Sequence, residues 1–204
     1  MPAVHIDSPS ITFVHVPRAA GTSIGAWLVS GYPTAHHWVD HPTLDEIKQE
    51  HEVKFSFAVV RNPWDRVVSF YHHITHSAAT GIPGKDYMQK VLLASNQGYF
   101  QNKVSFDQFV QDLHWLSIPK GIFRTDYPMA STQANYTQGI DLVFKQETLE
   151  QDFKAIQQMC NNYHPLPVLN TSEHEHYSTY YNSSTRATIE KLFAADIEQW
   201  QYQF

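Results

Sequence analysis

Apolar positions along the chain fall into short β-branched runs separated by longer stretches of helical spacing. Ile11-Thr12-Phe13-Val14-His15-Val16 is one such run, stopped by Pro17, and reads as a strand. Phe55-Ser56-Phe57-Ala58-Val59-Val60 is a second, and its continuous apolar end predicts a buried, parallel position. Leu142-Val143-Phe144 reads as a third, shorter strand. Helical patterns lie between them. One runs from Thr22 to Val29. Another is opened by Thr43 with Glu46 at capping-box spacing and continues to about Glu50. A third is capped by Asn62, with Pro63 at its first position, and runs to about His76. Ser105 with Gln108 opens a helix carrying Phe106, Phe109, Val110 and Leu113. Thr148 with Gln151 opens one whose face is Leu149, Phe153, Ile156 and Cys160. The last helix spans about Ser184 to Trp200, with Ile189, Leu192, Phe193 and Ile197 on one stripe. Strands interleaved with helices predict an α/β domain with a central, mostly parallel sheet flanked by helices. Residues 78–85 read as a long loop, and 161–170, with Pro165 and Pro167, as a second irregular connection.

A chain of 204 residues suits a single domain over 1–204. Its 42% hydrophobic and 17% charged residues are those of a globular protein. The net charge of −6 argues against a broad electrostatic hold on nucleic acid, although a local basic pocket remains compatible with it. With a single cysteine no internal disulfide can form, and Cys160 lies on an apolar stripe, where it reads as core. Apolar runs stop far short of the roughly 18 residues that suggest a membrane span, and the first residues lack the basic and apolar regions of a signal peptide. The expectation is a soluble, cytoplasmic protein with no membrane partner.

Two connections after strands carry the chemistry. In Val16-Pro17-Arg18-Ala19-Ala20-Gly21-Thr22-Ser23-Ile24, Gly21 permits close approach of a ligand and the helix start favours an anion. Thr22 and Ser23 add hydroxyls and Arg18 a permanent charge. The segment is not a Walker A loop, because it lacks G-x-x-x-x-G-K-[ST]. An ordinary strand-to-helix turn with a solvated arginine fits the spacing equally well. In the second connection Arg61 leaves a strand end, and Ser69 shares a helix face with Asn62 and Arg66. The carboxyl ends of parallel strands are where open α/β sheets bind ligands, so an arginine and a serine there can hold one more phosphate. Read alone, this connection favours Arg61 or Arg66 as a partner of Asp65 or another carboxylate.

Taken together, the two loops resemble those of sulfotransferases that use 3′-phosphoadenosine 5′-phosphosulfate (PAPS). The likeness is greatest to the Golgi-type carbohydrate group, with its PKxGGTS-like and RNPxxRxxSxY-like loops. Here these stand as Pro17-Arg18-Ala19-Ala20-Gly21-Thr22-Ser23 and Arg61-Asn62-Pro63-Trp64-Asp65-Arg66-Val67-Val68-Ser69-Phe70-Tyr71. Shorter echoes are Pro128 to Tyr136 with Gln133, Val143-Phe144-Lys145-Gln146-Glu147-Thr148-Leu149, Leu169-Asn170-Thr171-Ser172, and the end from Ala195 to Phe204. The resemblance implies a fold like that of P-loop nucleoside triphosphate hydrolases. It implies that Arg18, Ala19, Ala20, Gly21, Thr22 and Ser23 hold the 5′-phosphosulfate and that Arg61 and Ser69 hold the 3′-phosphate. Arg18 stands where the family has lysine, a longer and planar substitute at a close contact.

Sulfuryl transfer to a hydroxyl requires removal of the acceptor proton, and a neutral imidazole suits that at neutral pH. His36, His37 and His41 lie between the two loops, and in related carbohydrate sulfotransferases the base histidine lies in this interval. His41, just before the Thr43 helix, is the closest positional match, with His37 second. His41 could instead only pack against that helix. In-line attack on sulfur would release 3′-phosphoadenosine 5′-phosphate, with Arg18 and the loop amides stabilising the leaving phosphate. The scheme requires no metal. The pairs His72/His76 and His174/His176 lack HExxH or a matching cysteine set. The acceptor implied is a carbohydrate hydroxyl. Trp38, Tyr99, Phe100 and Trp115 are candidates to stack on a sugar, and Lys85, Lys90, Lys103 and Lys120 to line a basic groove. The rival functions are a P-loop kinase-like phosphotransferase and a non-catalytic nucleotide-binding protein.

Overall fold

The strand expected from Ile11 is present but stops at Val14, after which the chain turns with the Ala19 amide donating to the Val16 carbonyl. The computed structural model describes residues 3–38, 41–76, 104–118, 127–169 and 174–204. In chain order the elements begin with β1 (Val4–Ile6), β2 (Ile11–Val14), α1 (Gly21–Gly31), β3 (His36–His37), α2 (Leu44–Lys48), β4 (Phe55–Val60) and α3 (Pro63–His76). They continue with α4 (Phe106–Asp112), β5 (Ser117–Ile118), β6 (Tyr127–Pro128), β7 (Leu142–Lys145), α5 (Leu149–Asp152), α6 (Lys154–Met159), α7 (Ser183–Leu192) and α8 (Ala194–Trp200). They group into two compact units, Met1–Arg61 with Gln133–Thr171 and Asn62–Thr132 with Ser172–Phe204.

The first unit holds a five-stranded sheet in the order β3-β1-β2-β4-β7. β2, β4 and β7 are parallel neighbours, as the apolar run of β4 predicts. The central sheet is not wholly parallel, because β1 pairs antiparallel with both β2 and β3. β1 and β3 have no clear trace in the hydrophobic pattern: they are short, and histidines interrupt them. Because β1 opposes both of its neighbours, β3 runs in the same direction as β2. The chain therefore leaves β2, β3, β4 and β7 at one edge of the sheet.

Side chains alternate across the strands. Phe13 and Phe57 are paired in register, and their rings lie 5.1 Å apart. Phe57 also meets Phe144 and Phe153, and Phe153 meets Trp27 of α1 edge-on at 5.0 Å. Val14 belongs to a cluster with Ala3, Trp38, Leu44 and Ile47, which seats α2. Thr43 caps α2 with the capping box that the sequence predicts. The helix ends at Lys48, two residues earlier than expected.

The register also aligns a row of polar residues: His36 opposite His5, His5 opposite Thr12, Thr12 opposite Ser56. His5 Nδ1 lies 2.8 Å from Thr12 Oγ1, which satisfies a buried ring. Burial first, and then the charge of His51, lower the His5 imidazole below its ordinary value. Asp141, at the entry to β7, accepts from both the Ser56 hydroxyl at 2.7 Å and the Ser56 amide at 2.8 Å. Those bonds hold its carboxyl below the usual carboxylate range. A native value below the unfolded one stabilises the fold above the ordinary carboxylate pKa of about 3.9, and that contribution is lost as pH falls through the native value. Ser56→Ala is therefore expected to flatten the acid limb of a plot of melting temperature against pH; an unchanged limb would exclude this pair as its source.

In the second unit Asn62 caps α3, its side-chain oxygen accepting from the Trp64 amide at 3.0 Å. Its Nδ2 donates to the Gln203 carbonyl at 3.0 Å, which ties the helix start to the chain end. α3 runs to His76 as expected. Ser105 caps α4 by accepting from the Gln108 amide at 3.3 Å, while the Gln108 side chain turns to Asp112 instead of closing a box. Two further expectations are corrected. Thr148 makes no side-chain cap; its hydroxyl donates to Asp152. The helix that it precedes breaks into α5 and α6 at Phe153, and the final helix breaks into α7 and α8 at Phe193. Phe153 and Phe193 are both buried, so burial of a ring at each junction accompanies the bend. α7 begins at Ser183, capped by Asn182 in a reciprocal pair with Thr185.

Candidate functional site

The connection from β2 to α1 has an unusual backbone. Arg18 and Ala20 both take positive φ, at 69° and 56°, a region that costs a non-glycine residue on the order of 1–2 kcal/mol. Left-handed residues alternating with others in a loop turn successive amides inward, the geometry of an anion nest. Ala20 is the N-cap of α1 and supplies no side-chain acceptor, so the positive end of an 11-residue helix carries no side-chain cap. The amides of Ser23 and Ile24 return to the Ala20 carbonyl, and that of Ala19 to Val16. The backbone candidates for an anion are thereby narrowed to Ala20, Gly21 and Thr22. Ser23 is buried, and its hydroxyl oxygen accepts from the Leu169 amide at 3.1 Å, joining the loop to another of the sequence echoes.

Arg61, at the exit of parallel β4, reaches this loop. Its Nη1 donates to the Arg18 carbonyl at 3.4 Å. The Arg61 backbone is held on both sides by the buried Gln133 side chain, which accepts from the Arg61 amide at 2.8 Å and donates to its carbonyl at 2.7 Å. Burial, and after it the proximity of Arg61, lower the Arg18 guanidinium to about 9. Arginine remains protonated at neutral pH at such a value.

His41 meets this end of the sheet, as the shared direction of β2 and β3 requires. It is half-buried, and its ring centroid lies 4.7 Å from that of His15, the residue that follows β2. His15 was not among the residues singled out from the sequence. Its signal was Gly21: a Cβ built on Gly21 would fall within the His15 ring, so this glycine makes room for the imidazole. His36 and His37 are exposed on β3, with His36 turned to a different group of side chains.

The remaining expectations separate by unit. Ser69, Arg66 and Asn62 are all buried in the second unit, on one helical spacing. Arg66 is a core residue: its guanidinium lies over the Phe70 and Phe193 rings and donates to the Ser131 carbonyl at 3.1 Å. Trp64 packs edge-on to Phe204, and Trp38 belongs to the core. Trp115 is exposed, with its indole N–H donating to Asp112 at 3.2 Å. His72 stacks on His174 and lies 2.9 Å from the Tyr180 hydroxyl. Cys160 is buried, and burial pushes its thiol up, as a core role requires. The loop at 78–85 and Lys85, Lys90, Lys103, Lys120, Tyr99 and Phe100 lie outside the described residues.

A strand, a tight loop with an uncapped helix start, and two arginines lie at the carboxyl edge of the mostly parallel sheet of a mixed α/β protein. The model of the Sulfotransferase family matches residues 3–203, and the chain belongs to that family. Its membership supports a transferase that moves a sulfuryl group. No curated protein matches the chain. Among the described residues no helix is long and apolar enough to cross a membrane.

Proposed function

We propose that the protein transfers the sulfuryl group of PAPS to a hydroxyl, in the first place one on a carbohydrate, through a single sulfotransferase domain with a P-loop-like sheet. The family match spans residues from both units, which supports the one-domain reading. The observation that supports the proposal is the approach of Arg61 to the Arg18 loop, whose last residue, Ala20, leaves the start of α1 without a side-chain cap. Two neighbouring like charges beside an uncapped helix start favour a multiply charged anion. The amides of Ala20, Gly21 and Thr22 with Arg18 would take the 5′-phosphosulfate, Thr22 and Ser23 would border it, and Arg61 would take the 3′-phosphate.

In the reaction an acceptor oxygen attacks sulfur from the side opposite the 5′-phosphate. The new O–S bond forms as the bond from sulfur to the bridging oxygen breaks. The acceptor proton passes to His41, and 3′-phosphoadenosine 5′-phosphate departs with the bridging oxygen. Arg18 and the helix start stabilise the charge that grows on that phosphate. Arg18 supplies this charge through a forked donor set in place of the family lysine.

The first test is thermal. 3′-Phosphoadenosine 5′-phosphate is expected to raise the melting temperature well above any shift from ATP with magnesium, because a ligand that binds only the folded state stabilises it. Incubation with labelled PAPS and a panel of glycans should then move label to an acceptor. A larger shift with ATP would favour the phosphotransferase, and nucleotide binding without transfer to any acceptor would favour a non-catalytic binder.

A further inference from the structure

The chain is rich in histidine, and the proposed transfer uses few of these residues. Three of the others meet at the edge of the sheet opposite β7. His5 and His36 are direct cross-strand partners of β1 and β3. Asp7 follows His5 by two residues, the spacing that returns a side chain to the same side of an extended chain. His51 ends the turn after α2, its amide donating to the Ile47 carbonyl at 3.0 Å. Because α2 sits on the face that carries Thr12 and Val14, His51 comes over His5. The His51 ring centroid is 4.7 Å from His5 and 4.7 Å from His36.

We propose that His5, Asp7 and His51 form a binding site for a divalent transition-metal ion of the zinc class. Their donor atoms all lie within 4.8 Å of one another, and His5 Nε2 is already 3.3 Å from the Asp7 carboxylate. Two ligands at the usual 2.0–2.2 Å from one zinc ion are at most about 4 Å apart, so closure of the site takes roughly an ångström of movement. The side chains that must move are free to do so: Asp7 is exposed and His51 half-buried. The one that need not move is His5, buried and held by Thr12 through Nδ1 at 2.8 Å. With Nε2 on the metal, Nδ1 carries the ring proton and donates it to the Thr12 hydroxyl, the outer hydrogen bond that orients metal-binding histidines. Imidazole with carboxylate is a donor set for zinc, nickel or copper rather than for calcium or magnesium. His36, Glu50 and His51 form a second group of the same kind, so His51 is the ligand common to both and His36 or Glu50 can complete the coordination.

The occupied site would clasp β1, β3 and the end of α2, three short segments, to each other. It lies on residues that the proposed transfer does not use: His36 packs with Trp38 and His51, whereas His41 packs with His15.

The test is equilibrium titration of the untagged full-length chain with zinc and cobalt, in competition with a chromophoric chelator. One equivalent is expected per chain, with the visible cobalt spectrum of a low-coordinate nitrogen and oxygen site and a rise in melting temperature on adding zinc. His51→Ala is expected to weaken binding by at least about 100-fold, Asp7→Asn by about 10-fold, and Thr12→Val by about 10-fold through the lost outer hydrogen bond. His114→Ala, which removes an exposed histidine of the second unit, should leave the titration unchanged. Asp7→Asn and His51→Ala alter exposed or half-buried side chains, and circular dichroism checks that each variant folds. Absence of stoichiometric binding by the wild-type chain, or binding that a folded His51→Ala variant retains, would overturn the site.

Discussion

Replacing His41 by alanine is expected to lower the turnover of sulfuryl transfer by about 10²–10⁴-fold, the range that a positioned general base supplies. Affinity for 3′-phosphoadenosine 5′-phosphate, measured by calorimetry, should stay within a factor of about two, since His41 belongs to neither the α1 loop nor Arg61. The expectation follows from geometry: the chain leaves β3 at the same edge as β2, and the His41 ring lies 4.7 Å from His15 at the end of β2. A packing role would give a different pattern, in which stability and nucleotide affinity fall with the rate. The pH profile separates the two further. The wild-type rate should show an ascending acid limb, because only the neutral ring accepts a proton. A slow variant that kept this limb would assign the titration to another group. Unchanged turnover in a folded His41→Ala variant would remove His41 as the base and return attention to His37.

Much of this site could be read from the chain because its parts follow from local rules. Asn62-Pro63 opens α3 where capping and proline at the first position require it, and the unbroken apolar run of Phe55–Val60 delivers Arg61 to a parallel strand end. Gly21 at a strand-to-helix turn reads as room for a ligand; the neighbour that it admits in the fold is His15, a tertiary fact with no periodic signal. The left-handed Arg18 and Ala20 were hidden for a related reason: local preference disfavours that backbone in both residues, and only the surrounding fold imposes it. β1 and β3 went unread because a strand of two or three residues carries no period, and histidines break its apolar pattern. The long helices expected near each Phe at 153 and 193 were single in the pattern and double in the structure. At both interruptions a buried phenylalanine continues the apolar stripe, so the spacing does not reveal the break. In the sequence Arg66 stands open between an anion and a carboxylate partner; the fold buries it, with Phe70 and Phe193 under its guanidinium and the Ser131 carbonyl among its acceptors.

The second large effect concerns Gly21. Elsewhere an alanine at the start of a helix would stabilise it by up to about 1 kcal/mol, because glycine loses more backbone freedom on folding. Here the new methyl would fall within the His15 ring, so the imidazole must leave its place against α1 and beside His41. Overpacking of this kind costs roughly 1–3 kcal/mol, and it exceeds the gain in propensity. Gly21→Ala is therefore expected to lower stability in urea or heat, to weaken the nucleotide-induced thermal shift, and to slow transfer. The sign should reverse when the obstacle is removed. In a His15→Ala background the methyl enters space that the ring vacated, and Gly21→Ala should become neutral or stabilising. That reversal is a coupling between two residues in contact, which a double-mutant cycle reads directly. If Gly21→Ala costs the same in both backgrounds, the glycine serves the loop backbone alone and His15 has no part in shaping the start of α1.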